Sequence, residues 1–249
     1  MQMNFTQIFQ DSINFVRNQQ KTFITYSLLL FAALLICWGL DSLFNQALFS
    51  NNVSPQQAIT VIAEHWQEYL AIYLVKQLLL ILVSTAGLAA VYLISIGKPA
   101  DPASAFSLAA KRVIGVLLLD IVITLPFSLG IASMYTIGTT NSPIPFFALL
   151  MFCFGVFLFI RLNLASLHYV VSNDGILASL QKVWVAGIGN NWQLVIYALC
   201  IYLVLPLLGM PFTLVSGNLG QVLSALAGGM INIFGVVFSY RFYSLFIKE

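Results

Sequence analysis

The main candidate for chemistry in this sequence is an aspartate inside an apolar run. Asp120 occurs in "LLLDIVITLP", and the next charged residue toward the C-terminus is Arg161. A charged side chain within a membrane span is costly to bury, so it marks either a functional group or one half of an ion pair. Arg161 and Arg241 end apolar runs at a similar depth, which predicts a structural charge pair with Asp120. The alternative is a transport or catalytic carboxylate.

The histidines do not predict a metal site. His65 and His168 fall on opposite sides of the membrane in the topology derived below, so they cannot share a metal ion. His168 and Asp174 are six residues apart, which does not match the HxxxxD spacing of membrane acyltransferases. The sequence also lacks HExxH, GxSxG and a phosphate-binding glycine loop. We therefore expect no enzyme activity, no catalytic residue, no metal and no cofactor.

The other reactive side chains are expected to be structural. Cys37, Cys153 and Cys200 each lie inside an apolar run, without a CxxC pair or a nearby histidine, as is typical of small core residues. Lys76 lies early in an apolar run and can extend its amine toward the membrane surface.

The composition is that of a membrane protein. Of 249 residues, 60% are hydrophobic and only 7% are charged, whereas soluble chains carry about a quarter charged residues. A net charge of +2 gives no indication of nucleic acid binding, and the phospholipid bilayer is the expected partner. Six segments are long and apolar enough to cross about 30 Å of hydrocarbon as helices. The sequence predicts an all-α membrane protein of one domain with these approximate spans: Thr22–Leu40, Tyr69–Gly97, Val113–Ile137, Ile144–Ile160, Trp192–Val215 and Gly220–Ile247.

The distribution of Lys and Arg predicts the orientation. The chain has 10 of these residues, and in a six-span topology all except Lys76 fall on the same side of the membrane. The opposite loops contain Asp41, Glu64 and Glu68. Because cytoplasmic loops are enriched in Lys and Arg, we expect both termini to lie in the cytoplasm.

Three amphipathic segments precede the odd-numbered spans. Residues 5–20, 102–112 and 175–189 each combine an apolar face with a polar face, as helices that lie in the membrane interface do. In the third segment, Ser179 and Lys182 lie opposite the apolar stripe. We expect each helix to lie along the cytoplasmic surface with its apolar face toward the acyl chains. Basic residues near these segments are candidate contacts to anionic lipid headgroups: Arg17, Lys21, Lys111, Arg112 and Lys182.

Parts of the sequence repeat. The fourth span contains "FGVFLFIR" and the sixth contains "FGVVFSYR". The third and fifth spans share a proline followed by a glycine, Pro126 with Gly130 and Pro206 with Gly209. We infer three repeated units, each an interfacial helix followed by a helical hairpin. The alternative is chance similarity, since few residue types are used in lipid.

Three stretches carry a family resemblance. "DSINFVRNQQKTF", "GILASLQKVWVAGIGNNWQL" and "SYRFYSLFIKE" resemble the corresponding parts of the YciC-type membrane proteins, which are uncharacterised inner-membrane proteins of gamma-proteobacteria. The resemblance runs from the first interfacial helix to the last residues, while the loop at 41–68 is distinct. It implies a six-span protein of the bacterial inner membrane. It implies no catalytic residues, because the family has no established chemistry.

Two functional hypotheses follow. The first is a non-enzymatic protein that supports envelope or lipid homeostasis through contacts with lipids or with envelope proteins that the sequence does not identify. The interfacial helices and the scarcity of intramembrane charge favour it. The alternative is a small-molecule transporter or channel with a site between the spans. The prolines Pro126, Pro206 and Pro211 suit this alternative because broken helices often surround such a site, whereas the scarcity of polar residues in the spans does not.

Overall fold

The computed structural model describes residues 3–48, 64–140 and 146–247. These residues form helices and contain no strand, which confirms the all-α prediction. In chain order the elements are α1 (Phe5–Asn18), α2 (Gln20–Leu48), α3 (Trp66–Ser95), α4 (Pro102–Thr140), α5 (Phe146–Leu162), α6 (Ala165–Val171), α7 (Ile176–Ala186), α8 (Asn191–Leu199), a π-helical segment (Cys200–Val204), α9 (Leu205–Thr213) and α10 (Gly217–Phe246).

Within the described residues, six helical stretches are long and apolar enough to cross a membrane, which confirms the prediction of six spans. The helices α2, α3, α4 and α10 each form one span. The fourth span consists of α5 and α6, and the fifth consists of α8, the π-helical segment and α9. The helix ends differ from the expected boundaries, since α2 continues to Leu48. The expected start of the fourth span, Ile144, lies outside the described residues.

The segment 102–112 is not a separate interfacial helix, which corrects the prediction. It is the first part of α4, whose 39 residues extend about 58 Å, well beyond a hydrocarbon core of about 30 Å. The helix begins after Asp101, whose Oδ1 accepts hydrogen bonds from the backbone N–H groups of Ala103 (3.0 Å) and Ser104 (3.3 Å). No further glycine or proline occurs before Gly115, so the local sequence does not end the helix before the span begins.

The helix α1 packs part of its apolar face against α10. Ile8 and Phe15 are buried, and the ring of Phe5 stacks on Phe242 of α10 with centroids 5.7 Å apart. Phe9 on the same helix is 46% exposed. The helix α1 therefore packs against α10, near the end of the chain. Protein side chains cover part of the apolar face that was predicted to contact lipid.

The helix α7 divides its apolar residues between the bundle and the exterior. Val183 is fully buried, whereas Leu177 is 81% exposed. Ser179, which the periodicity placed on the polar face, is also fully buried. Its hydroxyl donates to the carbonyl oxygen of Gly175 at 2.9 Å, so this side chain needs no water and can face the bundle.

The hairpin of α4 and α5 is closely packed at two glycines. A Cβ at Gly130 would lie 2.6 Å from the backbone nitrogen of Phe152, and a Cβ at Gly155 would overlap the backbone of Phe127. Small residues allow helix backbones to approach this closely. In the hairpin of the fifth and sixth spans, a Cβ at Gly235 would meet only side chains, the nearest at 3.4 Å. The two hairpins thus share a sequence pattern without sharing this backbone contact, and their relation as repeats stays a prediction.

The fifth span is interrupted by its π-helical segment. The backbone N–H of Leu205 donates to the carbonyl oxygen of Cys200, five residues earlier. Pro206 follows at the start of α9 and has no N–H to donate to the carbonyl of Tyr202, its expected partner in an α-helix. Turns of this kind within helices are frequent at functional sites.

Candidate binding site

Asp120 does not pair with an arginine, which corrects the predicted charge pair. Its Oδ1 accepts a hydrogen bond of 2.6 Å from the hydroxyl of Ser166 in α6. None of the ion pairs that the described residues form includes Asp120. The carboxylate lies near the middle of α4 with a neutral hydroxyl as its neighbour.

Arg161 is buried and uses its guanidinium to hold α7. It donates to the main-chain oxygens of Trp184, at 2.8 Å, and of Gly187, and to the side-chain oxygen of Asn191. Carbonyl groups in the last turn of a helix have no intrahelical partner and carry partial negative charge. The guanidinium therefore caps α7, and this role explains why it is not available to Asp120.

Arg241 is also engaged elsewhere. Its guanidinium carbon lies 5.1 Å from the ring centroid of Phe15 in α1, a distance suited to a cation–π contact. Similar depth along neighbouring spans was the basis for pairing Arg241 with Asp120. Equal depth in the membrane does not determine the direction in which a side chain points, because each residue along a helix is rotated by about 100° from the previous one.

A cavity of about 470 Å³ lies between the spans, and Asp120 and Ser166 form part of its wall. The lining residues come from α3, α4, α6, the fifth span and α10, with Asn163 from the connection before α6. In α3 and α10 they lie near the middle of the helix, so the cavity is within the apolar part of the bundle. The polar lining residues are Ser84, Thr85, Asp120, Asn163, Ser166, Tyr197, Tyr202, Asn232 and Ser239.

Hydrogen bonding within this wall is incomplete. The hydroxyl of Tyr197 donates to Ser239 Oγ at 2.8 Å and joins the fifth span to α10. The amide of Asn163 has both its nitrogen and its oxygen buried without a hydrogen-bond partner. Buried polar groups are nearly always hydrogen-bonded, so this amide is an exception, and its two polar atoms are too deeply buried to contact a molecule in the cavity. The other polar groups of the wall lie within an otherwise apolar surface, which suits recognition of a small molecule.

A second polar cluster, which the residue spacing did not predict, lies at the end of α6. His168 is buried, with Nδ1 2.7 Å from the hydroxyl of Tyr243 and Nε2 2.8 Å from Asp174 Oδ2. Lys182 Nζ lies 2.8 Å from the same oxygen. Hydrogen bonds from Lys182 and then His168 lower the pKa of the Asp174 carboxyl below its usual value. The signal in the sequence is the turn-forming "SNDG" at 172–175, which turns the chain back toward α6.

The candidate headgroup contacts divide into two groups. Arg17, Lys21 and Lys111 are exposed. Arg112 instead donates to the main-chain oxygens of Ser172 and Asp174 at 3.0 and 3.3 Å, and Lys182 pairs with Asp174 as described. Contact of these residues with lipid stays a prediction.

Comparison with known proteins supplies no activity. No protein family model matches the chain, and no solved structure matches it. The chain is 29% identical over 250 residues to an uncharacterised protein of Haemophilus influenzae, and the alignment covers 100% of both chains. This similarity fits a multi-pass membrane protein of unknown function. It supplies neither ligand nor reaction.

Proposed function

We propose that this protein is a small-molecule transporter of the bacterial inner membrane and that the cavity around Asp120 is its substrate site. The observation that carries the proposal is a cavity of about 470 Å³ between the spans with a carboxylate on its wall. Cavities that hold small ligands have volumes of about 300–1,000 Å³. The proposed role is non-enzymatic, and both termini lie in the cytoplasm.

The polar wall of the cavity is costly to bury. A polar group within an apolar bundle costs free energy unless it is hydrogen-bonded, and a carboxylate costs more. A protein that only contacts lipid gains nothing from such a wall. A transporter does, because the substrate and its water supply the partners at mid-membrane.

The fifth span supports the same proposal. Its π-helical segment and Pro206 interrupt the regular helix, and Tyr202 and Pro206 both line the cavity. Broken helices around a site near the middle of the membrane are common in transporters. The sequence alone favours lipid homeostasis because of the interfacial helices and the scarcity of intramembrane charge, and it does not show that the few polar residues of the spans lie together.

Support of envelope or lipid homeostasis remains the second candidate function. The helix α7 favours it, because Leu177 is 81% exposed and Lys182 is exposed on the same short helix. An exposed apolar side chain with a nearby cation suits the boundary between acyl chains and anionic headgroups. We also propose that the chain is a YciC-type protein. The motifs described above and the full-length similarity to the Haemophilus influenzae protein support this assignment.

Access of water to the cavity tests the transporter proposal. Cys37, Cys153 and Cys200 are replaced by alanine, and one cysteine is then placed at Ser84 or Asn232 in the cavity wall. Sealed vesicles of each orientation are treated with a charged, membrane-impermeant thiosulfonate reagent. We expect both cysteines to react from either side, because alternating access exposes the site to each compartment in turn.

The matched control is Leu118→Cys. Leu118 is on α4, is 47% exposed and is not among the lining residues, so this cysteine faces lipid and should not react. Cavity cysteines that react no faster than the control would contradict the proposal. Reaction from one side alone would contradict transport and leave a one-sided binding site.

A further inference from the structure

We infer that the cavity binds a small organic cation, a positively charged nitrogen group with N–H donors attached to an apolar body, with Asp120 as its counter-ion. The inference rests on the proposed function, since it names the substrate class of the same site. It is carried by the charge of the wall, the arrangement around the carboxylate and the size of the cavity.

The charge of the wall selects a cation. Among the described residues that line the cavity, Asp120 is the one charged side chain, and no Lys, Arg or His accompanies it. An anion would meet a carboxylate without a compensating positive charge. A cation would neutralise the carboxylate at a place where an unpaired charge costs several kcal/mol.

The neighbours of the carboxylate leave one oxygen for a ligand. Ser166 donates to Oδ1 at 2.6 Å, which fixes the orientation of the group. Within the described part of the chain no hydrogen bond reaches Oδ2. A positively charged N–H donor can bind this free oxygen through a charge-assisted hydrogen bond.

An inorganic divalent cation does not fit this wall. Calcium takes about six to eight oxygen ligands, several of them usually carboxylates. The cavity wall has a single carboxylate, and no three His, Cys, Asp or Glu side chains of the described residues form a metal-binding group. The volume of about 470 Å³ is also far larger than one ion needs, and Leu80, Ile81 and Leu205 add an apolar surface. This combination suits an organic body attached to the charge.

Three related fluorescent probes test the charge selectivity. Proflavine is a planar organic cation, acridine in mildly alkaline buffer is its neutral analogue, and acridine-9-carboxylate is an anion of similar shape. Each is titrated into the purified full-length protein in zwitterionic detergent, with protein-free micelles as the blank. We expect the wild type to bind proflavine most tightly and the anion most weakly. Asp120→Asn should weaken proflavine binding by about 30-fold or more and leave acridine binding within about 3-fold, because the variant removes charge while keeping shape.

The controls separate charge from folding. Asp41→Asn removes a carboxylate that is not among the lining residues and should bind proflavine like the wild type. Asp120→Glu keeps the charge and should retain the preference for the cation. If the Asp120→Asn variant binds neither proflavine nor acridine, the Asp120→Glu variant decides between the two explanations. An Asp120→Glu variant that no longer prefers proflavine overturns the inference.

The remaining outcomes distinguish the inference from the proposed function. A wild type that binds acridine as tightly as proflavine, or an Asp120→Asn variant with unchanged proflavine affinity, overturns the cation assignment. Ser84→Phe fills the cavity from α3. If the cation assignment is overturned but Ser84→Phe abolishes binding of the neutral probe, the cavity still stands as a binding site. If it leaves binding of every probe unchanged, the probes bind elsewhere and both proposals fail.

Discussion

Lys76 in α3 places its Nζ 2.6 Å from both carboxylate oxygens of Asp41 in α2. The sequence predicts that the first span ends at Leu40, which would place Asp41 in a loop. The helix α2 continues to Leu48, so Asp41 is held on a helix and reaches Lys76. The pair joins the end of α2 to the beginning of α3.

A double-mutant cycle should measure the coupling between these two residues. The variants are Lys76→Met, Asp41→Asn and the combination, each followed by thermal unfolding in detergent. Because the two side chains are 23% and 47% exposed, we expect a coupling free energy of about 0.5–1 kcal/mol. A coupling of zero would mean that the contact does not stabilise the fold.

The capping of α7 by Arg161 predicts that Gly187→Ala is destabilising. A Cβ at Gly187 would lie 2.8 Å from the guanidinium carbon of Arg161 and would displace it from the carbonyl groups that it binds. Loss of one hydrogen bond to a charged group costs about 1.5–3 kcal/mol, measured as a lower unfolding temperature. Gly175→Ala is the control, because no atom lies within 4 Å of its Cβ position, and it should be tolerated. Equal effects of both variants would contradict the capping role.

The close contact between α4 and α5 predicts that Gly155→Ala is destabilising as well. The added methyl group would overlap the backbone of Phe127, and backbone cannot move aside as a side chain can. We expect a loss of about 1–3 kcal/mol in the free energy of unfolding. Gly39→Ala in α2 has open space at its Cβ position and should be neutral or stabilising. A Gly155→Ala protein as stable as the Gly39→Ala protein would show that the two helices do not pack this closely.

The cluster around Asp174 predicts a stability difference that depends on pH. Its pKa is lower in the folded protein than in the unfolded chain because Lys182 and His168 donate to the carboxylate. As the pH falls, the unfolded chain therefore binds the proton before the folded protein does. The stabilisation that the Asp174 carboxylate provides is fully present above about pH 4, and it is lost as the pH falls through the lowered pKa. The wild type should be more stable than Asp174→Asn at neutral pH, and the gap should close in acid. Asp11→Asn on the exposed side of α1 is the control, and a gap that stays constant in acid would contradict this account.

The orientation in the membrane can be tested with alkaline phosphatase fusions. Fusions within residues 45–65 or at 139–142 should be active, because the enzyme folds outside the cytoplasm. Fusions at 100–105 and at the C-terminus should be inactive, since Lys98, Lys111 and Arg112 keep that side in the cytoplasm. Activity of the C-terminal fusion would overturn the topology.

The spans could be predicted from the sequence because apolar runs of this length rarely form anything other than membrane-spanning helices. The site could not be predicted from the sequence, although Asp120 is its main candidate for chemistry. The cavity combines Ser84, Asp120 and Asn232 from three different helices, and their facing directions depend on helix packing that periodicity does not determine. Arg161 was assigned to Asp120 by depth alone. Its actual partners are carbonyl groups of α7, which a sequence does not distinguish from any other backbone group.

The π-helical turn changes how variants of the fifth span are to be interpreted. On a regular helical wheel, Pro206 would lie about 180° from Tyr197, since nine steps of about 100° amount to two and a half turns. Both residues nevertheless line the cavity, because the wider turn absorbs one extra residue between them. Deleting one residue from Cys200–Val204 would remove this extra residue and leave eight regular steps of about 100° between Tyr197 and the proline, so the proline should still face the cavity. A mutational scan along this span should therefore show two periodic patterns with different phases, one on each side of the π-helical turn.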